Sequence, residues 1–334
     1  MADRPRIALG VLGSMAEHLF WPEHLARLEA VGTVIDRRGV AFDAEPEAFA
    51  QLAEADILVG HWGCPTLSAE LLDGAPQLRL FAYAAGTVKW QVTDAVFDRG
   101  IVVTSAASAN ARPVAEYTVA MILLANKGAL LFAARERDPD AVVPLDPLRV
   151  GNLAKRVGIV GASHVGRIVI DLLAPYELEV GVYDPFLDDA TAEAMGVVRM
   201  GLDELCAWCH VLSIHAPDVP ATRHMIGADQ LAALRPGATL INTARPALVD
   251  ADALEAELRQ GRIAAVLDVT EPEPLPADSV LRTLPNVVLT PHIAGAMGSE
   301  VRRLADLAVT EVERFVRGEP PLFPVTRADL DRIA

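Results

Sequence analysis

A chain of 334 residues in which 52% are hydrophobic and 22% charged has enough apolar side chains for two cores of ordinary domain size and is not a disordered polypeptide. The formal net charge of −16, with no long Lys/Arg run, argues against nucleic acid or an anionic membrane as a partner, so an anionic ligand must rely on local positive groups. Three cysteines, an odd number, offer no disulfide framework.

The N-terminus, Met1-Ala2-Asp3-Arg4-Pro5-Arg6, leads into a short apolar strand without a signal-peptide core, and a cytoplasmic location is expected. Apolar runs at Ile7 to Val11, Thr33 to Ile35, Ile57 to Val59, Leu78 to Ala82 and Ile101 to Val103 predict strands, separated by helical stretches such as His24 to Ala30 and Pro46 to Ala53. That alternation is a small flavodoxin-like unit. Gly10-Val11-Leu12-Gly13-Ser14 follows the first strand, but its third glycine is missing and no acid of the right spacing closes it. It reads as a plain strand-to-helix loop. The longest apolar stretch, Tyr117 to Ala134, carries Asn126, Lys127 and Gly128 in its middle. A central lysine is costly in lipid, so an amphipathic or interface helix is expected rather than a membrane span.

Val157-Gly158-Ile159-Val160-Gly161-Ala162-Ser163-His164-Val165-Gly166 is an apolar strand running into a tight turn and then a helix, nearly a dinucleotide fingerprint. Such a turn sets helix N-terminal amides against a pyrophosphate, and an acid about 20 residues on takes the ribose hydroxyl. Asp184, after the strand Val180-Gly181-Val182-Tyr183, stands where that acid belongs. Ser163 replaces the glycine that lets the backbone approach the phosphates; it adds a side chain and a hydroxyl donor, so a tolerated variant with altered phosphate geometry is expected. Cys206-Ala207-Trp208-Cys209-His210 spells a haem-attachment pattern, but it ends a short helix before the buried strand Val211-Leu212-Ser213-Ile214, and no axial-ligand or export signal accompanies it. Two packed thiols are expected there.

Three later apolar runs each end on polar residues: Leu240-Ile241-Asn242-Thr243-Ala244-Arg245, Ala265-Val266-Leu267-Asp268 leading to Glu273-Pro274, and Val287-Val288-Leu289-Thr290-Pro291-His292. In a parallel α/β sheet, ligands sit outside the carboxyl ends of the strands, so Arg245, Glu273 and His292 converge on one crevice. A fixed cation holds a carboxylate by two hydrogen bonds, and an imidazole tied to a carboxylate trades a proton with a carbonyl or alcohol. Prolines in Pro272 to Pro276 restrict the loop that carries Glu273. Val301, Leu304, Leu307, Ala308, Val312, Phe315 and Val316 then recur at helical spacing and predict a closing helix.

With these blocks in order, the chain resembles the D-isomer-specific 2-hydroxyacid dehydrogenases, the family of glyoxylate/hydroxypyruvate reductases and phosphoglycerate dehydrogenases. The likeness runs from Arg99-Gly100-Ile101-Val102-Val103-Thr104 through Asn110, Glu116, the glycine turn, His215-Ala216-Pro217 with Thr222, Asn242 to Arg245 and Asp268 to Pro274. It ends on Thr290-Pro291-His292-Ile293-Ala294-Gly295. It implies an α/β fold of two doubly wound parallel-sheet domains, a Rossmann NAD-binding domain (106–296) inserted into a flavodoxin-like substrate domain (1–105 and 297–334). It implies that Arg245 orients a 2-oxo acid, that His292 is the acid/base and that Glu273 pairs with it.

The resemblance implies NAD contacts from Gly161, Ser163, His164, Val165, Gly166, Asp184, Pro185, His215, Ala216, Pro217, Thr222, Thr243, Ala244, Arg245, Asp268, His292 and Gly295. Similarity places Trp62, Ala85, Gly86 and Thr87 on substrate-facing loops and the segment Val114 to Ala134 at a two-fold homodimer interface. The sequence departs from the family at Thr87-Val88-Lys89, where Gly-Val-Asp is usual, and at Pro246, which replaces a small residue. Lys89 reads as a solvated charge or as a partner for a second anionic group. The reading is an NAD-dependent enzyme that reduces a small 2-oxo acid to a D-2-hydroxy acid, with no metal, or alternatively an NAD-sensing scaffold like the corepressors that share this fold.

Overall fold

The central strands of this protein are largely continuous apolar runs with little alternation, the pattern of a sheet covered on both faces, and among the described residues the strands of each sheet pair in parallel. The structure is a computed structural model that describes residues 4–11, 15–39, 47–144, 146–330 and 333. The chain divides into two units, Met1–Ala111 with Ala296–Ala334, and Arg112–Gly295. Of the first glycine segment, Leu12, Gly13 and Ser14 lie outside the described residues, as does Pro46 of the expected second helix.

In the first unit, β1 (Arg6–Gly10), β2 (Thr33–Val34), β3 (Ile57–Gly60), β4 (Leu80–Tyr83) and β5 (Val102–Ser105) form one sheet in the order β2-β1-β3-β4-β5. This is the flavodoxin-like order, with its switch point between β1 and β3. One face is covered by the closing helix Val301–Val316: Val301, Leu304, Ala305, Ala308, Val309 and Val312 bury against Ile7, Leu9, Ile57, Val59, Leu80 and Ala82. Leu307 and Phe315 pack at the margin, and Val316, expected on the same stripe, is exposed. The opposite face closes over Leu58, Phe81, Leu72 and Val96.

The second unit holds β6 (Lys155–Val160), β7 (Leu178–Tyr183), β8 (Val198–Arg199), β9 (Val211–Ile214), β10 (Thr239–Asn242), β11 (Ala264–Leu267) and β12 (Val287–Leu289). Their order, β12-β11-β10-β9-β6-β7-β8, reverses between β6 and β9, the doubly wound arrangement of a Rossmann domain. Two cores line its faces, one around Leu212, Leu240 and Leu258, the other around Ile159, Val169 and Ile241.

The long apolar stretch is two helices, not one. Ala107–Asn126 and Ala129–Arg137 meet at 65°, and Gly128 takes the left-handed backbone (φ 69°) that the break requires. Ala115, Val119 and Ile122 bury in the second core, whereas Leu124 and Phe132 remain exposed. Among the described residues no single helix is long and apolar enough to cross a membrane.

Candidate active site

The strand register brings the three candidate side chains of the second unit to one level. Asn242 aligns with Leu267, and Leu267 with Leu289, so the chain leaves β10, β11 and β12 side by side toward Arg245, Glu273 and His292. His292 Nδ1 lies 2.7 Å from Glu273 Oε1. With Nδ1 engaged by a carboxylate, Nε2 is the free ring nitrogen. His292 itself has a left-handed backbone (φ 55°), a conformation that costs a non-glycine residue energy and persists only when its surroundings fix it.

Asp268 supplies the fixing. This 2% exposed side chain accepts hydrogen bonds from the Thr290 hydroxyl (2.6 Å) and the amides of Ile293 (2.9 Å) and Ala294 (2.8 Å), while its carbonyl accepts the His292 amide (2.9 Å). Asn242 does the same for the neighbouring turn: its amide group donates to the Arg245 carbonyl (2.9 Å) and accepts from the Ala244 amide (3.0 Å). Pro246 opens the 3₁₀ turn Pro246–Leu248 at its first position, where a missing N–H costs nothing. The departure from the family at this position thus fits the local backbone.

The Arg245 guanidinium donates only to the Ala244 carbonyl (2.7 Å), and no carboxylate lies within salt-bridge distance of it among the described residues. Burial pulls it below the ordinary guanidinium range, while Asp218 and Glu273 act in the opposite sense. A desolvated cation with spare donors is a site for an anion.

The glycine turn after β6 is sterically determined. Gly161 has φ 98°, and a Cβ there would sit 2.8 Å from the Ala216 amide nitrogen. A Cβ on Gly166 would collide with the Gly161 carbonyl oxygen. Both glycines therefore permit the close packing of turn, helix and β9 loop that a dinucleotide needs. Ser163 is the N-cap of the helix His164–Leu173, and its hydroxyl accepts from the Gly166 amide (3.3 Å). The expected extra donor is thus engaged first as an acceptor, which explains how serine is tolerated. His164 and Val165 form the first turn behind it.

Asp184 accepts from the Ala162 amide (2.8 Å) and, with its other oxygen, from Phe186 (2.8 Å), so it ties the turn to the end of β7 and retains lone pairs for a diol. Pro185 and Phe186 are exposed beside it, and Arg167 is held by the Ala162 carbonyl (2.9 Å).

At the switch point His215 is buried, bonded through Nε2 to Ser213 (2.9 Å), and pushed down to about 3 by burial; it stays neutral. Ala216 is buried against the glycine turn, and Pro217 receives the Thr222 hydroxyl (2.6 Å), which closes the following loop. Thr243 pairs with Thr118 (2.9 Å), Ala244 follows it, and Gly295 ends the loop beyond His292. These residues fit a dinucleotide at the carboxyl ends of the strands.

In the first unit, Trp62 follows β3 and is 38% exposed, beside a fully buried His61. Burial lowers His61 to about 4, and neither ring nitrogen has a partner among the described residues. The amides of Ala85, Gly86 and Thr87 find no acceptor among the described residues, while the Gly86 carbonyl accepts the Ser105 hydroxyl. Lys89 is not a free solvated charge: its ammonium reaches the Ile333 carbonyl (3.4 Å).

Two other features carry no acid/base pair. A cavity of about 800 Å³ lies at the opposite, amino end of β6, β9 and β10, lined by Lys155, His210 and Arg235 among others. Cys206 and Cys209 are wholly buried, burial pushes both thiols up to about 12, and His210 Nδ1 accepts the Arg156 amide (3.1 Å). These are packed thiols, as expected.

Comparison with known proteins agrees with this geometry. The family model "D-isomer specific 2-hydroxyacid dehydrogenase, NAD binding domain" matches residues 119–294, about half of the chain. D-3-phosphoglycerate dehydrogenase of Methanocaldococcus jannaschii is 32% identical over 303 residues, 87% of this chain and 55% of that protein. The chain thus spans about half the length of the curated phosphoglycerate dehydrogenases it matches. Glyoxylate reductase of Korarchaeum cryptofilum is 32% identical over 276 residues, 81% of this chain and 82% of that one. The crystal structure of the TT0316 protein from Thermus thermophilus matches with a TM-score of 0.77 at 30% identity, covering 96% of this chain and 100% of that one. Apo D-mandelate dehydrogenase of Rhodotorula graminis matches with a TM-score of 0.80 at 25% identity, over 97% and 98% of the two chains. With that family model matching half of the chain and relatives about a third identical over most of its length, the chain belongs to the D-isomer-specific 2-hydroxyacid dehydrogenase family, with the NAD-binding domain in its second unit.

Proposed function

We propose that the protein reduces a small 2-oxo acid of the glyoxylate or hydroxypyruvate type to the D-2-hydroxy acid with NADH. The observation that carries this reading is the 2.7 Å His292–Glu273 pair on the strand ends next to Arg245, whose guanidinium lacks a carboxylate partner among the described residues. Arg245 holds the substrate carboxylate. His292, tied to Glu273 through Nδ1, gives the Nε2 proton to the carbonyl oxygen as the carbonyl carbon is reduced, and takes it back in oxidation. Bound NADH supplies the hydride; Gly161, Ser163 to Gly166, Asp184, Pro185, His215 to Pro217, Thr222, Thr243, Ala244, Asp268 and Gly295 would hold it. We also assign substrate binding to Trp62 and to the amides of Ala85, Gly86 and Thr87, which find no acceptor among the described residues. A spectrophotometric screen of NADH oxidation against a panel of 2-oxo acids tests the proposal. Tight NADH binding with no turnover of any member would leave the scaffold reading instead.

The same assignment fixes the cofactor. Asp184 accepts a ribose diol and repels a 2′-phosphate, and neither Pro185 nor Phe186 adds a cation beside it. NADH is expected to support turnover at least about tenfold better in kcat/KM than NADPH, by the usual effect of one unpaired charge contact. Equal use of both would contradict it.

We further propose a cytoplasmic homodimer. The three buried, unpaired cysteines suit a reducing compartment. Exposed Leu124 and Phe132 give the two bent helices an apolar outer face that a second copy would cover. Sedimentation is expected to return twice the chain mass; a monomer at all concentrations would remove the assignment.

A further inference from the structure

Two adjacent residues of the helix Ala107–Asn126, unassigned by any motif, reach two different loops of the candidate site. The Tyr117 hydroxyl lies 2.8 Å from Thr290 Oγ1, and Thr118 Oγ1 lies 2.9 Å from Thr243 Oγ1. Neighbouring helix positions point about 100° apart, so one stretch of helix addresses the loop after β12 with one side chain and the turn after β10 with the next. Proton counting fixes the direction of the first contact. Thr290 has a single hydroxyl proton and donates it to Asp268 (2.6 Å), so Tyr117 must donate to Thr290. Burial and the nearby Asp268 raise the Tyr117 hydroxyl above its ordinary range, which keeps it protonated.

Asp268 in turn accepts the amides of Ile293 and Ala294, the two residues after a left-handed His292. Tyr117 is thus the outer end of a chain of hydrogen bonds that terminates on the loop holding the histidine. Thr118 is fully buried, and Thr243 immediately precedes Ala244 and Arg245, so the second contact pins the turn of the arginine. The Thr118–Thr243 pair is buried and the Tyr117–Thr290 pair part-buried, so losing a partner leaves a polar group with little or no water to replace it.

We propose that Tyr117 and Thr118 are positioning residues, Tyr117 for His292 through Thr290 and Asp268, and Thr118 for Arg245 through Thr243. This rests on the roles proposed for His292 and Arg245, and it requires the two variants to fail differently. Tyr117→Phe and Thr118→Val each delete one hydroxyl at nearly constant volume, and a melting curve checks that both stay folded.

Hydrogen–deuterium exchange on the full chain reads the loops without turnover. Tyr117→Phe is expected to speed exchange at Ile293 and Ala294 several-fold and spare residues 243–245, and Thr118→Val to do the reverse. With NADH and the best 2-oxo acid, Tyr117→Phe should lower kcat on the order of tenfold with KM within about twofold, whereas Thr118→Val should raise KM on the order of tenfold with kcat within about twofold. Unchanged exchange in the named loop of either variant, or the same loss of kcat and KM in both, would overturn the proposal. A wild-type protein that turns over no 2-oxo acid would sink the functional reading alone, and the exchange pattern would still decide whether the two residues hold these loops.

Discussion

His292→Gln is expected to bind NADH as the parent protein does and to lose on the order of a hundredfold or more in kcat, about 2.7 kcal/mol of barrier. Glutamine is close to histidine in length and can keep a hydrogen bond to Glu273, but it has no proton to give at neutral pH. Hydride addition would then leave an alkoxide to be protonated by water, while contacts to the dinucleotide away from the imidazole stay in place. Stopped-flow NADH binding and steady-state reduction, measured on one preparation, separate the two effects. Near-normal kcat would remove His292 from the proposed mechanism.

Glu273→Gln makes a gentler test of the same pair. The amide keeps the shape of the partner 2.7 Å from Nδ1 but removes the negative charge that holds the imidazole in place. Both side chains are nearly half exposed, at 49% and 43%, so solvent screens the pair and kcat should fall by about tenfold or less, with KM and NADH binding little changed. A loss as large as that of His292→Gln would mean that the charge of Glu273, and not its shape, is what the histidine needs.

Much of this site is legible in the sequence for steric reasons. Parallel strands buried on both faces are uninterrupted apolar runs, which is why β6, β9, β10, β11 and β12 stand out and why the polar residue after each run marks a carboxyl end. Gly161 and Gly166 are legible because nothing larger fits: one has a positive φ against the Ala216 backbone, the other faces a carbonyl oxygen. The Val301–Val316 helix shows because its buried stripe keeps helical spacing for four turns.

What stays hidden depends on partners distant in sequence or on competition within a turn. Tyr117 and Thr118 look like ordinary helix residues; their meaning comes from Thr290 and Thr243, which only the packed sheet brings near. Asn242 belongs to a recognisable block, yet nothing in the block says that its side chain clamps the Arg245 turn from both sides. Ser163 is legible as a hydroxyl donor, but not as the cap whose oxygen accepts the Gly166 amide, and hydropathy alone runs through the break that Gly128 imposes on two helices. Lys89 reads as a loop charge because its partner, the carbonyl of Ile333, lies near the other end of the chain.

Arg245→Lys is expected to raise KM for the 2-oxo acid by at least about tenfold, with a smaller effect on kcat and little on NADH binding. The guanidinium in this structure is part-buried, donates once to its neighbour's carbonyl and has the rest of its fork free of carboxylates among the described residues. A planar fork can meet both oxygens of a carboxylate, whereas an ammonium offers point contacts and is more strongly hydrated, so it loses more on entering the same half-buried position. Charge is conserved in this exchange, which makes geometry the variable under test. Substrates should therefore lose affinity in proportion to their dependence on the carboxylate: an amide analogue of the best 2-oxo acid, already poor with arginine, should lose far less than the acid when lysine is introduced. If acid and amide were weakened equally, Arg245 would be supporting the β10 turn rather than holding the substrate carboxylate.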